Sequence, residues 1–267
     1  MTLKSNLKEF INHILESMDI GLERQTLINR LKKNEDIITN YGLLKHIKKN
    51  KNKLKYIENL SFSKSQIRQD LFVLNELDFK NNGFFIEFGA ANGLDNSNTY
   101  ILENKFGWDG LLAEPAKIYH QNLAINRKCQ IEKKCIWNES KKKLNFKETS
   151  LPGLSTIEQF SSSDHHKNLR KDGELYSVET LSLNDFLCKY NAPNVIDYLS
   201  IDTEGSEYAI LENFNFDKYK FNVITVEHNY SKNRKKIFSL LTKNGYLRKF
   251  EELSQFDDWY VNSSIEK

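Results

Sequence analysis

Proline is scarce in this chain, with three residues in 267, and no Gly/Ser-rich stretch interrupts it. A chain without flexible or proline-stiffened linkers reads as one compact body rather than a string of modules. Cysteine is equally rare. Cys129, Cys135 and Cys188 are odd in number and fall in no CxxC or zinc-type spacing. That excludes a disulfide framework and a cysteine metal centre, and it suits the reduced thiols of a cytoplasmic protein. No apolar run reaches 18 residues, so no transmembrane helix is expected. Lys4, Lys8 and Glu9 put charge into the first turns, against a secretory signal. Neither sign of charge dominates: 39 basic residues face 36 acidic ones, for a formal charge of +3. Lysines do cluster at 45–55 and 141–143, runs that touch nucleic acid or anionic lipid when they are not simply solvated.

What the chain does have is apolar content, 39% hydrophobic and 12% aromatic, enough for a substantial core. Residues 1–60 read as helices. Leu3, Leu7, Phe10, Ile11, Ile14, Leu15 and Met18 recur at three- and four-residue spacings. Leu22, Leu27 and Leu31 form a second pattern, and Leu43, Leu44, Ile47 and Leu54 a third, with breaks at Gly21 and Gly42. This helical extension carries no nameable chemistry; the roles open to it are capping the main domain, homo-oligomerisation and docking a partner.

From residue 61 to 267 strands alternate with helices. Strands are expected at 83–89, 110–114, 130–137, 144–148, 177–181, 195–201, 221–226, 246–251 and 259–261. Helices are expected at 115–126, 206–214 and 232–243, and 150–174 reads as a polar loop in which His165 and His166 are solvated. This alternation implies right-handed βαβ units and a mainly parallel, doubly wound α/β sheet, with one of the last two strands reversed.

Four strand ends carry candidate chemistry. The strand ending Ile86-Glu87-Phe88 runs into Gly89-Ala90-Ala91-Asn92-Gly93, a turn whose first glycine lets a ligand approach the backbone. Open α/β sheets bind ligands beyond such carboxyl ends, and Glu87 is placed to meet an ammonium group. Glu114 ends the next strand, where a carboxylate accepts hydrogen bonds from ribose hydroxyls. The turn lacks the dinucleotide spacing, and no phosphate loop exists. A ribose clamp without a phosphate cradle suits S-adenosylmethionine better than NAD or ATP. Asp202 and Glu204 follow a third strand, and Glu227-His228-Asn229 a fourth; Glu207 is placed to cap the intervening helix.

In order and spacing these motifs resemble the FkbM family of S-adenosylmethionine-dependent methyltransferases. The matching stretches are Ser65-Gln66 with Gln69-Asp70, Phe84 to Ala90, Ser97-Asn98-Thr99, Trp108 to Leu112 with Glu114-Pro115, and Gly153 to Thr156. Thr180 to Leu187, Ile201 to Glu207 and Val226 to His228 continue the series. The resemblance implies the Rossmann-like class I methyltransferase fold, a seven-stranded sheet with one antiparallel strand. It implies O-methylation of acceptors that are often sugars in polysaccharides, glycolipids or glycosylated metabolites. It adds Asn98 and Thr99 to a cofactor set of Glu87, Gly89, Ala90, Asn92, Gly93, Glu114 and Asp202. His228 has the intrinsic pKa of a general base. Asp202, Glu204 and Glu227 would orient it, replace it, or hold Mg2+ or Mn2+ against a sugar diol. Residues 66–70 and 150–174 are the candidates for acceptor recognition, with Trp108 and Trp137 as packing. Competing readings are a nucleic-acid methyltransferase, disfavoured by the near-neutral charge, and an inert methyltransferase-like interaction module, disfavoured by the retained carboxylates.

Overall fold

The computed structural model describes residues 37–149, 151–161 and 165–265. By its internal contacts the chain divides into two units, Met1–Tyr41 and Gly42–Lys267. The helices expected at 3–18 and 22–31 lie outside the described residues, and 37–46 are helical. The larger unit begins well before residue 61. Leu43, Ile47 and Tyr56 are buried in one cluster with Leu71 and Phe72. The third helical pattern therefore belongs to the main body rather than to a separate extension.

In chain order, helices α1 (Asn50–Asn59) and α2 (Gln69–Glu76) precede strand β1 (Phe84–Phe88). Helix α3 (Tyr100–Phe106), strand β2 (Asp109–Ala113), helix α4 (His120–Asn126) and strand β3 (Gln130–Glu132) follow. An inserted block holds β4 (Cys135–Trp137), β5 (Lys143–Glu148), β6 (Thr156–Ile157) and β7 (Glu174–Ser182). The chain then resumes with α5 (Leu183–Lys189), β8 (Val195–Ile201), α6 (Glu207–Glu212), β9 (Lys220–Glu227), α7 (Arg234–Lys243), β10 (Tyr246–Lys249) and β11 (Asp257–Asn262).

The main sheet has the order β10-β11-β9-β8-β1-β2-β3, in which only β11 runs against its neighbours. It is the seven-stranded class I methyltransferase sheet that the resemblance implies. The reversed strand is one of the last two, as expected, and lies between β9 and β10. Strands β4 to β7 form a second sheet, order β4-β7-β5-β6. The expected strand at 130–137 is thus two strands in two sheets. The Glu132 carboxylate breaks it, accepting the backbone N–H groups of Lys133 and Lys134 at 2.9 and 3.0 Å and turning the chain. The polar stretch 150–174 is not uniformly loop, since it supplies β6 and several 3-10 turns.

Alternation explains the layering. Ile86 and Phe88 of β1 pack into one core with Leu199 and Ile201 of β8 and Phe186 of α5. Phe85 faces the opposite core with Leu71 and Phe72 of α2 and Trp259 of β11. Period-two side-chain direction sends Glu87 to the same face as Phe85. Each such fully buried side chain contributes about 1.5–3 kcal/mol over exposure. Helix α5 starts where it does because Ser182 caps it, its Oγ accepting the Asp185 N–H at 3.1 Å. No helix among the described residues is long and apolar enough to cross a membrane.

Candidate active site

Strand order reverses direction between β1 and β8: the chain goes from β1 outward to β2 and β3, then returns to lay β8 on the other side. A cavity of about 610 Å3 opens there, beyond the strand ends. Glu87, Asp95, Glu114, Asp202, Glu204 and Glu227 line it, and no Lys, Arg or His does so among the described residues. In a chain of net positive charge this is a selectively acidic chamber.

The turn after β1 is built around Gly89, at φ +75°. A Cβ there would stand 1.7 Å from the Asp202 carbonyl oxygen, so only glycine fits. The same close approach lets Gly89 N–H donate to Ala113 O at 3.1 Å and Asp202 N–H to Phe88 O at 3.2 Å. These bonds lock the ends of β2, β1 and β8 together. Ala90, Ala91 and Asn92 continue along the cavity wall. Asn92 is spent on the loop itself: its Oδ1 accepts the N–H groups of Leu94 and Asp95. Gly93, at φ +76°, does not reach the cavity; Leu123 and Arg127 occupy the space beside it.

Glu114 is held from below. Its two oxygens accept the N–H groups of Ala91 and Ala116, each at 2.8 Å. Burial pushes its carboxyl up to about 7 against those two bonds. Each oxygen keeps a lone pair for a ligand hydroxyl. Glu87 is committed to a buried network: it accepts Asn98 N–H at 2.7 Å and the hydroxyls of Ser97 and Thr99. The Arg127 guanidinium neutralises it, at 3.4 Å, while also pairing with Glu103 and donating to Thr99 Oγ1 at 2.8 Å. Asn98 and Thr99 are therefore a supporting layer away from the cavity, with the Asn98 amide donating to Ser200 Oγ at 2.9 Å. Arg127, central to this layer, has no signal in the sequence beyond its charge.

On the other side of the cavity Asp202, Glu204 and Glu227 bring carboxylate oxygens within 4.8 Å of one another. That spacing is one a cation would need, at the three residues expected to offer it. Glu204, at φ +58°, accepts the buried Arg170 guanidinium at 2.7 Å. Arg170 comes from the inserted block and also donates to Leu154 O at 2.6 Å, tying that block over the cavity. Asp202 and Glu227 hydrogen-bond each other. Burial pushes Asp202 up to about 7 and Glu227 well above the usual carboxylate range, with the Asp202 and Glu204 charges adding to the shift in Glu227. Two adjacent carboxyls that cannot both ionise hold one proton between them. Glu204 is thus paired with a guanidinium, while Asp202 and Glu227 stand side by side as buried acids.

His228 is not in the cavity. Its Nδ1 accepts the Tyr230 N–H at 3.0 Å, which leaves Nε2 as a donor to Asp257 O at 3.0 Å. Burial pushes the imidazole down to about 4 against the opposing Asp258 carboxylate. With both nitrogens engaged and the ring 3% exposed, it cannot take a proton from a ligand. Strand β9 ends at Glu227, and the turn that follows, with the His228 and Asn229 N–H groups both on Phe256 O, carries the imidazole away from the cavity.

Of the other candidates, Gln66 lines the cavity. Gln69 and Asp70 are buried and structural: Asp70 accepts Ser63, Ser65 and Leu71 N–H, and Gln69 donates to Asp257 at 2.9 Å. Leu151, Gly153, Leu154 and Ser155 close the cavity from the inserted block. Glu207 accepts the N–H groups of Thr203 and Gly205 at the start of α6. Trp108 and Trp137 are packed, 2% and 8% exposed.

No curated protein matches the chain in sequence. Among solved structures it is similar to methyltransferase FkbM from Methylobacillus flagellatus KT, at 10% identity and TM-score 0.42, over 85% of this chain and 59% of that one. It is similar to a TehB-like SAM-dependent methyltransferase from Corynebacterium glutamicum ATCC 13032 Kitasato, at 8% identity and TM-score 0.37, over 79% of this chain and 97% of that one. A third is precorrin-6y C5,15-methyltransferase from Geobacter metallireducens GS-15, at 12% identity and TM-score 0.35, over 67% and 71%. The Methyltransferase FkbM domain matches residues 87–260, well over half of the sequence. That span runs from the β1 carboxylate to β11 and includes every strand end that lines the cavity, and on it the chain belongs to the FkbM methyltransferase family.

Proposed function

We propose that this methyltransferase is an S-adenosylmethionine-dependent O-methyltransferase acting on an uncharged hydroxyl acceptor, a sugar ring. The observation that carries the reading is the cavity lining, six carboxylates with no basic side chain among the described residues. Such a chamber favours a cation and penalises a phosphate or carboxylate on the acceptor. It argues against a nucleic-acid substrate, which would need Lys and Arg along the cleft.

S-adenosylmethionine, when bound, supplies a methyl group activated by the positive sulfonium. The residues present fit it: the glycine turn admits no Cβ, and Glu114 faces the cavity already held by two backbone donors. Glu114 would accept the ribose hydroxyls, and Gly89 and Ala90 would let the nucleoside lie against the backbone. The Asp202–Glu227 pair would take the acceptor's hydroxyl proton. A carboxyl raised to about 7 is tuned for that task at neutral pH. Arg170 orients Glu204 beside the pair, and the Glu204 carboxylate adds to the upward push on Glu227.

Titration calorimetry with S-adenosylhomocysteine tests the cofactor site. The wild-type protein should bind, and Glu114→Ala should weaken binding about tenfold or more through loss of charge-assisted hydrogen bonds. A folded wild-type protein that does not bind would leave the inert-module reading in its place.

A further inference from the structure

Beyond β9 the chain makes a turn that the reaction described above does not use. His228 and Asn229 both donate their N–H groups to Phe256 O, at 2.9 and 3.2 Å, and Ser231 N–H returns to His228 O at 2.7 Å. Within it Asn229 and Tyr230 stand consecutively in the left-handed region, at φ +42° and +56°. Asparagine tolerates that region; a bulky aromatic residue rarely enters it. Glycine at residue 230 would relieve the strain at once. What holds the tyrosine there is His228, whose Nδ1 accepts the Tyr230 N–H and whose ring packs edge-on against the phenol, centroids 5.3 Å apart. Strain maintained by a dedicated buried partner marks a side chain whose direction matters.

The direction is into the cavity. Tyr230 lines it while remaining 69% exposed. Its hydroxyl has no partner among the described residues. Gln66 and Asn96 line the same cavity, both exposed, and neither side-chain amide has a partner among the described residues. A bridge between Ser65 and Asn96 holds their two segments side by side. An aromatic face, a phenol and two unengaged amides, in a lining with no basic group, match one kind of ligand. It has an apolar face, several hydroxyls and no negative charge.

We propose that Tyr230 is the acceptor platform, its ring receiving the apolar face of a neutral sugar while the Gln66 and Asn96 amides bond its hydroxyls, with His228 as the positioning residue that aims the ring. The inference rests on the reading of this cavity as a site of sugar O-methylation. It assigns acceptor recognition to three residues outside the carboxylate machinery, and it gives His228 a role other than base.

The test is direct binding of a panel of methyl hexopyranosides, by saturation-transfer NMR and titration, to full-length protein with and without S-adenosylhomocysteine. At least one glycoside should bind the wild type. Tyr230→Ala should weaken it about tenfold, the scale of a lost aromatic contact, with S-adenosylhomocysteine affinity and melting temperature unchanged; Tyr230→Trp should restore it. His228→Ala should weaken the same glycoside, and the His228→Ala/Tyr230→Ala double variant should lose no more than Tyr230→Ala alone. Equal binding by wild type and Tyr230→Ala would overturn the platform, as would a wild type that binds no glycoside. Additive losses in the double variant would overturn the positioning role. If glycosides bind and depend on Tyr230 while S-adenosylhomocysteine does not bind, methyl transfer falls and the sugar subsite stands.

Discussion

On the β1–β2 side of the cavity Glu87 and Glu114 accept hydrogen bonds from fixed partners: backbone N–H groups, two hydroxyls and the Arg127 guanidinium. On the β8–β9 side Asp202 and Glu227 lean chiefly on each other, and burial pushes both carboxyls up. Both sides put acid at strand ends over the same cavity, yet they solve burial differently. The first is built to stay as it is while a ligand docks. The second keeps a proton site whose occupancy can change during a reaction. Under the proposed function, the first side would bind the cofactor and the second would take the acceptor's proton.

Arg127→Met gives the largest expected effect and breaks the first side. It would strand Glu87 and Glu103 in a core where Arg127 is the guanidinium pairing with both. Removing one partner of a buried ion pair costs about 3–5 kcal/mol, so chemical denaturation should show a protein near the edge of folding. Asp202→Asn breaks the second side in the opposite sense. It removes one acid from a buried cluster whose carboxylates repel one another, so thermal stability should hold or rise. The turnover number should fall about a hundredfold or more, the range for loss of a general base, with S-adenosylhomocysteine affinity little changed. A folded Asp202→Asn protein that turns over at the wild-type rate would sink the assignment of the proton to this pair. Were Arg127→Met as stable as wild type, the contrast between the two sides would vanish.

Much of this was legible before any coordinates. Strand Val195–Ile201 coincides with its sequence expectation, and the strand ends at Glu87, Glu114, Asp202 and Glu227 do converge on one cavity. Such features are local, since a β-rich run and the turn after it are written in adjacent residues. What escaped is non-local. Arg170 reaches Glu204 across 34 residues, and Arg127 reaches Glu87 across 40, and nothing near either arginine names its partner. The split of 130–137 into β3 and β4 turns on one carboxylate capping two lysine N–H groups, which a hydrophobic count does not see. His228 escaped for the same reason. It follows the last residue of β9, and the hydrogen bond of its ring to Asp257 O, 29 residues on, is what draws it off the cavity.

The smallest expected effect separates the two sides by pH. Glu114 titrates near 7 in the free protein, raised by burial. An accepting carboxylate binds ribose hydroxyls best when ionised, so affinity for S-adenosylhomocysteine should be level above pH 8 and decline below 7. The ceiling on the decline is tenfold per unit, about 1.4 kcal/mol, and a protonated carboxyl that still donates one bond brings it lower. Asp202 also titrates near 7, but in the turnover number, where its deprotonated form is the active one and the rate again falls with acid. Glu114→Gln tells the two apart. It should flatten the pH dependence of S-adenosylhomocysteine binding, measured by calorimetry from pH 5.5 to 8.5, and leave the acid limb of turnover in place. If instead the substitution removed the limb from turnover and left it in binding, the roles given to the two sides would have to be exchanged.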